Sequence, residues 1–286
     1  MMDGNTACCW LMVNPSSGSN DDSSTEMIVA ALTTRGWTVD RVIAFPDDPL
    51  PTGAALDAAG AAMMVIYTGD GSMNAAISHL EGWGGQVLVL PGGTMNLLPL
   101  RLHRSINVGT ILDVVAGGGS RPVRPHCVRC DAGIALAGLL VGPGTAWSRV
   151  RESMRKLDLA DMAKETVDAI RTTSGGPCVL LPDNRLMRDG GYPLVELTPG
   201  EHGVQIDGYF AADAADYAGQ AWALMRRRFR EGPHDRLGIA DSTVLTTADG
   251  SALPCLLDGE PAVCVSGSRF VVAPCGVDLL ATAHDA

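Results

Sequence analysis

Residues 63–76 read MMVIYTGDGSMNAA, an apolar run that leaves through Gly69-Asp70-Gly71 and turns at once into a helical pattern. Such an exit costs backbone entropy, and it suits a place where bare amides or a ligand must approach closely. The same grammar occurs on either side. ACCWLMVNP (7–15) stops at Asn14-Pro15 before a polar stretch holding Ser17 and Gly18, and QVLVLPGGTMN (86–96) stops at two glycines before Asn96. Between these runs, Ser23 or Ser24 caps a helix reaching about Thr34, WTVDRVIAF (37–45) reads as a strand, and a short helix covers Ala54 to Gly60. Strands alternating with helices, each ending in a glycine-rich turn, predict a parallel sheet with ligands at its carboxyl edge. That edge would gather Asn14 to Gly18, Thr68 to Asn74 and Gly92 to Asn96.

From residue 115 the pattern changes. VAGGGSRPVRPH (115–126) reads as a hinge, and beyond it come short strand-like pieces with turn signals: PCVLL, YPLVELTP, GVQIDGYFAA, STVLTT, PCLLDG, AVCVSG and RFVVAP. Helical patterns interrupt them at Ser148 to Ile170 and at Tyr217 to Arg230. The expected organisation is an α/β domain over residues 1–118 and a mostly β, sandwich-like domain over 119–269, with the segment from about 270 to 286 packing back on the first.

The 286 residues carry a net charge of -11, which argues against nucleic acid as a partner. Lysine occurs only at Lys156 and Lys164, neither in a glycine-rich loop, so a Walker-type phosphate loop is absent. Eight cysteines without a secretory leader read as reduced thiols of a cytoplasmic protein. HCVRC (126–130) has zinc-like spacing but no matching second pair, so alternating strand residues are the better reading.

The ordered set NPSSG, TGDGSMN, PGGTMN and, near the end, LDGEPA resembles the diacylglycerol kinase catalytic family, whose fold relates to NAD kinase. The resemblance implies a nucleotide-binding α/β domain, a β-sandwich lipid domain, and transfer of the γ-phosphoryl group of ATP, with Mg2+, to a lipid hydroxyl. Carried over residue by residue, Asn14, Pro15, Ser17 and Gly18 match the first nucleotide loop. Thr68, Gly69, Asp70, Gly71, Ser72 and Asn74 match the signature loop, and Gly93, Thr94 and Asn96 the third. Asp258, Gly259 and Glu260 match the terminal acidic motif. Asp70 and Glu260 are the candidate catalytic carboxylates, and Asp70 with Asp258 the candidate Mg2+ ligands. Thr68 stands where glycine is usual, Ser72 where threonine is, and Ala75 where an acidic residue follows the asparagine. Leu97 and Pro99 replace the usual Asp and Ala, and His202 interrupts a sequence tied elsewhere to a structural metal.

Simpler readings stand beside these. Asp70 also suits a helix-capping turn, Asp258-Gly259 a hairpin tip, and Arg226 to Arg230 a helix C-terminus complementing its dipole. The expected partners are a lipid substrate and a transient membrane surface; a homodimer is compatible with the sequence, which does not fix the oligomeric state. NAD kinase activity, or a nucleotide- or lipid-binding relative without turnover, are the alternatives to lipid phosphorylation.

Overall fold

The computed structural model describes residues 7–15, 22–146, 176–210 and 234–283. The expected helices at Ser148 to Ile170 and Tyr217 to Arg230 lie outside these residues. The chain forms two units, Met1–His126 with Pro274–Ala286, and Cys127–Ala273.

In the first unit, β1 (Ala7–Val13), β2 (Trp37–Ala44), β3 (Met63–Thr68) and β4 (Gln86–Pro91) run parallel, joined through α1 (Asp22–Thr33), α2 (Gly53–Ala58) and α3 (Asp70–His79). After β4 come α4 (Leu97–His103), α5 (Val108–Ala116) and a short β5 (Arg121–Val123). The strand Asp278–Ala281 enters between β4 and β5, parallel to the first and antiparallel to the second, so the order is β2-β1-β3-β4, then 278–281, then β5. Every residue of β3 is buried, as are the last five of β1 and of β4, the pattern of a parallel sheet covered on both faces. One face packs Leu11, Val13, Val65, Tyr67, Leu88 and Leu90 against Ile28 and Leu32 of α1 and Ile111 and Leu112 of α5. The stretch read as a hinge holds the end of α5 and all of β5 instead, because Arg121–Val123 finds a partner in Leu279–Ala281.

His103 fastens α4 to this sheet. Its Nε2–H donates to the Val89 carbonyl at 3.0 Å, and Nδ1 then accepts from the Thr282 hydroxyl at 3.1 Å. Burial outweighs the carbonyl contact and drives its pKa down to about 4. Because the folded pKa lies below the unfolded one, the neutral ring's contribution is complete above pH 6.5 and is lost as pH falls towards 4. We expect acidification from pH 7 to 5 to remove about 2 kcal/mol through this residue. Urea midpoints across that range should fall less steeply in His103→Gln than in the parent; parallel slopes would remove the imidazole from the acid response.

The second unit is built of antiparallel strands. A six-stranded sheet runs in the order 234–240, 203–209, 194–200, 139–141, 253–257, 260–264, and a four-stranded sheet in the order 242–244, 269–274, 126–130, 133–135. Val128, Ala135 and Phe270 of the smaller sheet share a core with Val141, Leu197, Val204, Leu253 and Leu257 of the larger. The mostly β reading of this half is what the structure has.

Candidate functional site

The strand register aligns the three glycine-rich exits. Val13 pairs with Tyr67, Tyr67 with Leu90 and Thr68 with Pro91, so Asn14, Gly69 and Gly92 follow side by side at one edge. The chain steps from β1 outward to β2 and then returns past β1 to β3. That reversal leaves a crevice at the carboxyl ends of β1 and β3, where open α/β sheets take their ligands.

Side chains lock the exits together. Asn14 Nδ2 donates to Ser72 Oγ at 2.8 Å, tying the end of β1 to the first turn of α3. Gly69 caps α3 with extended backbone, and its carbonyl accepts from Met73 N at 3.0 Å. Asp70, half-buried, is the only acidic residue in that first turn, where the helix dipole favours negative charge. Its Oδ1 accepts from Leu98 N at 3.4 Å, so one carboxylate faces the starts of both α3 and α4. Asn96 takes the left-handed conformation (φ 52°) immediately before α4, and its Oδ1 accepts from Gly93 N at 2.8 Å. Gly93 lies so close to the signature turn that a Cβ there would stand 2.5 Å from Gly69 Cα. Two loops thus meet glycine on glycine. Thr68, where the resembled family has glycine, is fully buried and turns its hydroxyl back onto the Gly69 carbonyl at 3.1 Å. Gly71 lies in the first turn of α3, Asn74 one turn further on accepts from the Ser78 hydroxyl at 3.2 Å, Thr94 is exposed, and Pro15 is exposed beside Asn14. Ser17 and Gly18 lie outside the described residues.

The terminal motif sits on a hairpin of the second unit. Leu257 pairs with Glu260 around Asp258-Gly259, with φ of 50° and 96°, the two positive values that a tight two-residue hairpin turn requires. Asp258 is buried, and its carboxylate accepts three backbone amides: Leu136 N at 2.8 Å, Ala137 N at 2.8 Å and Gly138 N at 3.0 Å. This side chain therefore organises the 136–138 loop, and a cation at the same carboxylate would compete with three N–H donors. Glu260, at the start of the following strand, is exposed. Asp258→Asn keeps a residue suited to the turn but loses the charge, at an expected cost of about 2 kcal/mol. Asp258→Ala adds backbone strain and should cost more. Chemical denaturation distinguishes them, and equal, negligible losses would leave the amide cage without energetic weight.

Sequence reasoning identified the turn but not this cage, since Asp258 and its partners are some 120 positions apart. The tie between Asn14 and Ser72 was equally invisible, although both residues had been singled out.

With this geometry in view, residues 9–128 match the family model of the diacylglycerol kinase catalytic domain, the family that the motifs resemble. No curated protein matches the chain. Among solved structures, a diacylglycerol kinase from Bacillus anthracis str. Sterne superposes with a TM-score of 0.59 at 12% identity, covering 97% of this chain and 98% of that one. A second structure from the same strain, described as of the diacylglycerol kinase class, gives 0.60 at 15%, covering 97% and 96%. At these identities the likeness speaks for the fold, an α/β unit with a mostly parallel sheet followed by a unit of antiparallel strands.

Proposed function

We propose that the chain is a lipid kinase that transfers the γ-phosphoryl group of Mg-ATP to a lipid hydroxyl. The observation that carries the reading is the convergence of three glycine-rich strand exits on one sheet edge, with Asp70 at the starts of two helices, inside the segment that matches the diacylglycerol kinase catalytic domain. Phosphoryl transfer asks for positioning and charge neutralisation more than for covalent participation by the protein.

The residues suit these tasks. The described residues contain no lysine, so phosphate oxygens would rest on backbone amides in the first turn of α3, at Gly71 and Ser72, where the helix dipole adds positive potential. The close Gly69–Gly93 approach, with Asn96 holding the Gly93 amide, fixes the two loops beside that turn. An oxygen-only donor set suits Mg2+, and Asp70 is the carboxylate at this edge that would hold it. When bound, the ion neutralises charge on the phosphates. Asp70 would orient the transferring group and is the favoured acceptor of the hydroxyl proton, with Glu260 the other candidate carboxylate. An ionised carboxylate can accept such a proton as the bond forms.

Among the described residues no helix is long and apolar enough to cross a membrane; a lipid acceptor would itself bring the protein to a membrane surface. The Arg226 to Arg230 cluster considered for that contact lies outside the described residues. A screen with purified protein and Mg-ATP tests the proposal, with diacylglycerol, phosphatidylglycerol, sphingoid base, ceramide and NAD as separate acceptors. A phosphorylated lipid is the expected product. Phosphorylation of NAD alone, or ATP binding without consumption in any arm, would overturn it.

A further inference from the structure

Away from this site, the second unit brings sulfur and a carboxylate together across its two sheets. Cys130 ends a strand of the four-stranded sheet, Asp131 begins the turn after it, and Cys264 ends the outermost strand of the six-stranded sheet. The two thiols stand 3.7 Å apart, and the two sulfurs and a carboxylate oxygen all lie within 4.8 Å of one another. Cys255, on the strand beside Cys264, places a third sulfur 3.7 Å from the Cys264 thiol. Asp131 is held in place from outside the group: its Oδ2 accepts from Val265 N at 3.2 Å, which fixes the carboxylate next to Cys264.

We propose that Cys130, Asp131 and Cys264 form a binding site for a thiophilic d10 cation, with Zn2+ as its representative, and that the ion ties the two sheets together. The spacing suits it. Zinc–sulfur bonds of about 2.3 Å at a tetrahedral angle put two ligand sulfurs about 3.8 Å apart, close to the separation already present without metal. A disulfide would require the sulfurs to close to about 2.0 Å. Cys264 is buried, Cys130 half-buried and Asp131 exposed, so the donor set runs from the core to the surface, where an ion can enter. Two thiolates and a carboxylate select zinc over Mg2+ or Ca2+, which take oxygen ligands. The fourth position is open to water. Binding converts the Cys130 and Cys264 thiols to thiolates and releases two protons per ion, with no change of oxidation state.

Sequence spacing could not show this, because the cysteines that meet are 134 positions apart and HCVRC supplies only one of them. The test uses the full chain, reduced, freed of metal and titrated with Co2+ under argon. One equivalent should produce a thiolate-to-cobalt charge-transfer band, which Zn2+ abolishes and Mg2+ does not. The band should be lost in Cys264→Ser and in Cys130→Ser. Asp131→Asn, an exposed change that leaves the core untouched, should weaken binding at least about 10-fold. In the unmodified chain, stoichiometric Zn2+ should protect Cys130 and Cys264 from alkylation, mapped by mass spectrometry, while Cys178 continues to react. No charge-transfer band in the parent, a band that survives Cys264→Ser, or no protection of those two thiols would each overturn the site.

Discussion

Asp70→Asn should abolish phosphoryl transfer, lowering turnover by about 10³-fold, the scale on which removal of one preorganised charge-stabilising group acts. The fold should survive. Asparagine fits the first turn of α3, and the lost interaction with two helix starts is worth only about 1 kcal/mol. Leu98 N retains an acceptor in the amide oxygen, so α4 keeps its approach to α3. The informative comparison is turnover at saturating ATP against thermal midpoint. A variant that melts like the parent and binds ATP, yet does not transfer, fits a carboxylate needed in the transition state. Glu260→Gln should lower turnover less, since that exposed side chain belongs to the other group of candidate residues. Near-parental activity in Asp70→Asn would hand the base to Glu260.

The second large effect is steric. In Gly93→Ala the new methyl would meet Gly69 Cα at 2.5 Å, and backbone cannot swing aside as a flexible side chain would. The loops must separate, with an expected loss of about 1–3 kcal/mol in stability. Separation also shifts the first turn of α3, with its amides at Gly71 and Ser72, away from the Gly93–Asn96 loop. ATP affinity should therefore fall at least about 10-fold, because a 1 Å misplacement is costly where several donors share one ligand. Calorimetric titration with the nucleotide, beside urea unfolding, reads both quantities. Unchanged affinity would place the phosphates elsewhere.

What could be read in advance divides along physical lines. Buried apolar runs such as MMVIY and QVLVL declare central parallel strands by composition alone, and the glycines that stop them mark the edge where the three exits meet. The Asp258-Gly259 turn was legible because a tight hairpin demands two left-handed residues in succession. By contrast, α5 went unread, although Asn107 caps it by accepting from Thr110 N and Val108, Ile111, Leu112 and Val115 share its apolar face. The run of glycines behind it drew attention to a break instead. Contacts distant in sequence were unreadable in principle. The amides that hold Asp258 and the thiol that meets Cys130 both come from segments whose local pattern carries no sign of them.

The strand Asp278–Ala281 has a bearing on how the protein is made. It lies between β4 and β5, and α4 secures it through Leu102, whose carbonyl accepts from Thr282 N at 3.2 Å and Ala283 N at 3.0 Å. During synthesis β1 to β4 leave the ribosome early, whereas the strand that completes their sheet emerges only after the whole second unit has been translated. Until then β4 presents an unsatisfied flank, which invites pairing with a neighbouring nascent chain. A premature stop upstream of Asp278 would leave that flank open for good, with β5 deprived of its partner and His103 of Thr282. The unit proposed to hold the nucleotide is thus begun first and closed last.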